Sequence, residues 1–159
     1  MSHFISFFDL QFERLHTGST ELIAAIPPEN LFWQPREPSL GVAAYSCGEY
    51  VLRSAGSVEQ TFGGISTNLW DDPFEWTLPE TLSTSAKIAE YLEEVEATRK
   101  NTFDSFQSDS DLYKEIAVPS GEPQAIYALL VETLARASHY QGRAFATFRL
   151  FSSARLPTV

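Results

Sequence analysis

A single cysteine, Cys47, stands among the 159 residues, which excludes an internal disulfide and any zinc site built from several thiolates. That scarcity suits a reducing compartment, so a cytoplasmic location is the expectation. Positive charge is also scarce: 11 Lys and Arg stand against 21 Asp and Glu, a formal net charge of −10. A surface of that sign repels phosphate backbones, and nucleic acid is not an expected partner. Long apolar runs are missing. The stretch from Ala125 to Val131 ends at Glu132, well short of the roughly 20 residues that cross a bilayer, so no membrane association is expected. The opening Met1-Ser2-His3-Phe4-Ile5-Ser6-Phe7-Phe8 lacks a cationic leader and is interrupted by Asp9, which predicts mature structure rather than a targeting segment. A GxxxxGK phosphate loop, a GxSxG nucleophile elbow, an HExxH pair and a CxxC pair are all missing, and the enzyme classes behind them are unsupported.

What the chain does contain is core-forming material: 43% hydrophobic and 13% aromatic residues. That is ample for one domain over residues 1–159, which at this length buries about two thirds of the surface its unfolded form exposes. Phe8, Phe12, Leu15, Ser19, Leu22 and Ile26 step by three and four residues and predict a first helix, stopped by Pro27-Pro28. Only Ser19 interrupts its apolar stripe. A second stripe runs Leu40, Ala44, Cys47, Val51, Ser54, Val58 and Phe62, with Ser39 as the expected cap and Gly63-Gly64 as the expected end. Residues from Ile65 to Leu82 carry Trp70, Trp76, Pro73 and Pro79 without a period and predict a long connection ordered by aromatic anchors. A third helix is predicted from Thr84 or Ser85, with Ile88, Tyr91, Leu92, Val95, Phe103 and Phe106 inward. Its solvated outer face is read as Glu90, Glu93, Glu94, Glu96, Arg99 and Lys100. After the turn Pro119-Ser120-Gly121 a fourth helix is predicted from near Pro123, with Tyr127, Leu130, Leu134, Phe145 and Phe148 inward. The expected architecture is all-α, an antiparallel four-helix bundle with a long crossover between helices two and three. Gly41, Gly48, Gly56 and Gly142 fall inside these helices at roughly 1 kcal/mol each relative to alanine, which predicts close helix approach or a cavity as compensation.

Two stretches give the chain a resemblance. Leu31-Phe32-Trp33-Gln34-Pro35, followed by Ser39-Leu40-Gly41 and Glu49, resembles the opening of helix two in the DinB-like superfamily, which includes the YfiT-like metal-dependent hydrolases and thiol-dependent S-transferases. Ala137-Ser138-His139-Tyr140-Gln141-Gly142-Arg143 is similar to the His-His-Arg-Gly-Gln segment late in that family's fourth helix. The resemblance implies a bundle holding a divalent metal such as zinc or nickel on three histidines, and it suggests a homodimer. Carried across, those three positions fall on Ser46, Arg136 and Tyr140, none of them a histidine. His139 is one residue away, about 100° around the helix. A hydroxyl and a phenol are poor ligands for a transition metal and a guanidinium repels one, so no metal cofactor is expected. A compensating site drawing on His16, His139, Glu13 or Glu49 stays open.

Ser46, Glu49, Arg136, His139 and Tyr140 are therefore the candidate pocket residues. Arg136 on an inward face requires a carboxylate, for which Glu49 is the expected partner with Tyr140 donating to it; the alternative is that Arg136 snorkels to solvent. His139 and Cys47 are read as structural, since adjacent helical residues do not face each other and Cys47 lies on the apolar stripe. The leading expectation is a metal-free protein binding a small molecule or an interaction partner. The alternative is a rearranged enzyme, hydrolase-like or thiol-dependent, in which Tyr140 or Ser46 activates a low-molecular-weight thiol and Arg136 holds its carboxylate. Phe4, Phe7 and Phe8 are the expected dimer contacts.

Overall fold

The computed structural model describes residues 3–35, 44–73 and 81–158. Four long helices hold most of them: α1 (His3–Ala25), α2 (Cys47–Thr67), α3 (Ser85–Ser105) and α4 (Ile126–Phe148). Two short 3-10 turns, Pro28–Asn30 and Asp109–Tyr113, and a small antiparallel hairpin of β1 (Glu115–Ile116) and β2 (Gln124–Ala125) complete the described chain. The all-α expectation holds; the hairpin is the part that periodicity does not show, because two residues per strand are too few to alternate.

The apolar stripes become one core. Phe12, Leu22, Val51, Phe62, Ile88, Phe103, Leu130 and Phe148 are all buried. Ser19, the break in the first stripe, is buried as well, and its hydroxyl accepts a 2.9 Å hydrogen bond from the Gln141 side-chain amide, which also donates to the Leu15 carbonyl. Three small polar residues, each seven apart on α2, bond across to α4: the Cys47 thiol and the Ser54 hydroxyl donate to the Ala144 and Ala137 carbonyls, and the Thr61 and Thr133 hydroxyls pair at 2.7 Å. Rising numbers on α2 meet falling numbers on α4, so the two helices are antiparallel. Short side chains at this seam let the backbones approach closely. Likewise α1 and α3 are antiparallel, joined by Asp9 to Arg99 and His16 to Glu93.

The helix ends are set partly by neighbours far away in sequence. The amides of Phe4 and Ile5 donate to Asp109, more than a hundred residues on, so a carboxylate from the second 3-10 turn caps α1. Thr84 caps α3 as expected, accepting from Lys87 N–H. The expected start of helix two is corrected: Ala44, Tyr45 and Ser46 precede it, and Ser46 is its cap, accepting from Glu49 N–H, while the Tyr50 hydroxyl takes up Tyr45 N–H. Ser39, Leu40 and Gly41 lie outside the described residues, as do Trp76 and Pro79. The expected stop at Gly63-Gly64 is also corrected, for α2 runs on to Thr67 and ends at Asn68 in the left-handed region (φ 57°). Gly121, at φ 96°, makes the hairpin turn. In place of a side-chain cap, α4 has its first amide, Ile126 N–H, bonded to the Lys114 carbonyl beside β1. Tyr127, expected inward, is exposed and meets Tyr113 instead.

The largest correction concerns the outer face read for helix three. Glu96 and Arg99 are 4% and 2% exposed. The Arg99 guanidinium makes two parallel 2.7 Å bonds to Glu96 and a further one to Asp9 on α1, so a charged pair three residues apart has turned into the core. Periodicity places charge outside by default; it is silent on pairs that satisfy each other in fork geometry.

Candidate functional site

Because the seam between α2 and α4 is made of short side chains, longer ones flanking it wall a groove. On α2, Arg53, Ser57 and Gln60 share one face, and on α4 Arg136 and Tyr140 share another at i, i+4 spacing. These five, with Gly56 and Asp72, line a cavity of about 100 Å³. Gln60 and Arg136 also line the adjoining compartment of about 270 Å³, walled by Trp70, Pro119, Gln124, Leu129 and Glu132. The two compartments meet at Gln60 and Arg136, the smaller polar and the larger part-aromatic.

Arg53 is held in place: its guanidinium bonds Glu49 at 3.0 Å and lies 4.1 Å over the Tyr45 ring. Arg136 is exposed, and among the described residues it makes no hydrogen bond or ion pair. The expected pairing of Glu49 with Arg136 is therefore corrected to Glu49 with Arg53. The reason is register. Cys47 lies level with Ala144 and Ser54 with Ala137, so Glu49 falls level with Gly142, six residues or roughly 9 Å along α4 from Arg136. An i, i+4 partner on its own helix is nearer.

Of the five candidate residues, the groove brings together Arg136 and Tyr140. Ser46 is buried and occupied as the cap of α2; Glu49 supports the groove through Arg53; His139 is exposed, with its ring edge against Tyr140. Arg53, Ser57, Gln60 and Asp72 are lining residues missed by sequence reasoning, whereas Trp70, expected as an aromatic anchor of the connection, also lines the larger compartment. A signal for three of them existed, since 53, 57 and 60 form a polar face beside the apolar stripe of α2.

The divalent metal implied by the resemblance does not fit these residues. Ser46 spends its hydroxyl on a backbone amide and stands about nine residues of helix away from the level of Arg136, and a guanidinium at the second position repels a cation. His16 is bonded to Glu93, and among the described residues no three His, Cys, Asp or Glu side chains are gathered closely enough to hold a metal ion. The Cys47 thiol is buried and donates to the Ala144 carbonyl, and burial pushes it up to about 12, which disfavours the thiolate.

The other polar concentration is structural. Beside Arg99 and Glu96 lies a cavity of about 20 Å³, lined mainly by Phe12, Leu15, Ala55, Val58 and Leu92, enough for about one water and too small for a substrate. Burial raises the Tyr91 hydroxyl, and the bond it donates to Glu59 raises it further, so it is a fixed donor between α3 and α2. No helix among the described residues is long and apolar enough to cross a membrane. No family model matches the chain, and no curated protein or solved structure matches it.

Proposed function

We propose that the chain is a divergent DinB-like four-helix bundle that binds a small organic acid in the groove between α2 and α4, with a guanidinium centre in place of a metal. Two antiparallel helix pairs and the proline-rich connection after α1 support the bundle reading. One observation carries the ligand reading: Arg136 and Tyr140 line one polar cavity, and Arg136 has no counter-ion among the described residues. A guanidinium and a phenol lining the same cavity are donors suited to a carboxylate. Asp72 and Glu132 on the same groove disfavour a second negative charge, so a monoanion is the better match.

Thermal-shift titrations with propionate, inorganic phosphate and glutathione test this. Propionate is expected to raise the melting temperature, since a ligand held only by the folded state stabilises it by mass action. Arg136→Gln is expected to remove the shift while leaving the ligand-free melting temperature within about 1 °C, because an exposed side chain contributes little to stability. A flat response to propionate sinks the reading. A second copy of the chain is the proposed partner for the α1 surface, where Phe4, Phe7 and Leu10 are exposed. The expected result is a dimer by light scattering that Phe7→Glu converts to monomer.

A further inference from the structure

We infer that the acid bound in this groove is elongated and planar, with an aromatic body lying against Trp70 and a hydrogen-bond donor at the end remote from its carboxylate. The inference rests on the reading of Arg136 as the acid's anchor and adds the ligand class. Trp70 is fixed by three independent contacts. Its ring lies against the backbone at Gly64, where a Cβ would stand only 2.4 Å from two indole carbons. Its indole N–H donates to Asn68 at 3.2 Å, and its carbonyl accepts from the Gln60 amide at 3.0 Å. The indole is thus a preformed wall of the larger compartment, and Pro119 and Leu129 offer apolar surface there. Flat apolar walls with a few placed polar groups are what hold a planar ring.

The polar groups of that compartment then select the far end of the ligand. The Thr61 and Thr133 hydroxyls bond each other. Gln124 also lines the compartment, and its side-chain carbonyl oxygen is buried with no hydrogen-bond partner among the described residues. A buried acceptor left unpaired is costly, and a ligand hydroxyl or N–H supplies what it lacks. Ile126, two residues past Gln124, is ten residues or roughly 15 Å along the axis of α4 from Arg136, so a ligand that meets both side chains is longer than a small acid.

Calorimetric titration of the full chain with 4-hydroxycinnamate, cinnamate and propionate tests the inference. The expected order has 4-hydroxycinnamate at least tenfold tighter than cinnamate, and cinnamate at least tenfold tighter than propionate. Trp70→Ala is expected to weaken both aryl acids tenfold or more and leave propionate unchanged. Gly64→Ala, which displaces the ring without touching the ligand, is expected to do the same, and Trp70→Phe to restore part of the aryl preference. Gln124→Leu is expected to abolish the advantage of 4-hydroxycinnamate over cinnamate. If propionate binds through Arg136 but the aryl acids bind no better, the inference is overturned and the acid-binding reading survives. If none of the three binds, that reading falls and takes the inference with it.

Discussion

Arg99→Ala is expected to destabilise the protein by about 3–5 kcal/mol, the usual cost of stripping one member from a buried ion pair. The side chain is 2% exposed and ties α3 to α1 through Asp9 while holding both oxygens of Glu96. Without it the Glu96 carboxylate stays buried with Lys100 as its ion-pair partner, at 3.3 Å and largely in solvent. Replacing both partners, Glu96→Met with Arg99→Met, is expected to cost far less than either loss alone, since neither charge is then stranded. Urea midpoints of the two single variants and the double one decide the matter; additive losses would remove the pair from the account of stability.

The same pair sets the acid limb. Burial on its own would raise the Glu96 carboxyl, but the hydrogen bonds and charge of Arg99, with His16 and Lys100 behind it, more than offset this and hold it below the ordinary glutamate value. A depressed carboxyl stabilises the fold fully above its unfolded value, about 4.3, and loses that contribution as pH falls through the folded value. Asp111, held down to about 2 by Lys114 and by the amides of Ser108 and Gln107, titrates on the same limb. Stability is therefore expected to be flat above about pH 5 and to fall below about pH 4, with a shallower fall in Glu96→Gln.

Phe12→Ala is the other large effect, expected at about 3–5 kcal/mol. The ring is 1% exposed and meets Phe62 edge-on at 5.0 Å, while Phe62 and Phe103 are 5.3 Å apart, so three aromatic rings join α1, α2 and α3. Phe12 also borders the small cavity beside Arg99. Truncation enlarges a void already there, in a region pinned by the ion pair and unable to collapse. The urea midpoint is expected to fall with an unchanged slope, and Phe12→Leu to recover more than half of the loss. A slope change would mean that the aromatic cluster governs the compactness of the unfolded chain instead.

Much of this core was legible beforehand because burial and helical period are local properties. Phe12, Leu22, Val51, Phe62, Ile88 and Phe148 all lie where a 3.6-residue period places them. Thr84 likewise caps its helix through a bond three residues away. The i, i+4 face of Arg136 and Tyr140 was legible for the same reason. Glu96 and Arg99 were not, since their burial depends on Asp9, 90 residues earlier in the chain. Nor was the start of α1 on Asp109, or the wall that Trp70 forms over Gly64.

The sequence by itself determined an acidic, mostly helical chain, where its apolar stripes run, and the residues each stripe presents together, because those follow from composition and a fixed rise per residue. Only the tertiary structure decided the register between α2 and α4. That register gives Glu49 to Arg53, leaves Arg136 facing the groove, and sets Trp70 and Gln124 beyond it. The physical reason is that axial register is fixed by which short side chains meet across a seam, here Cys47, Ser54 and Thr61 against Ala144, Ala137 and Thr133, and such pairings are invisible to any one helix read alone.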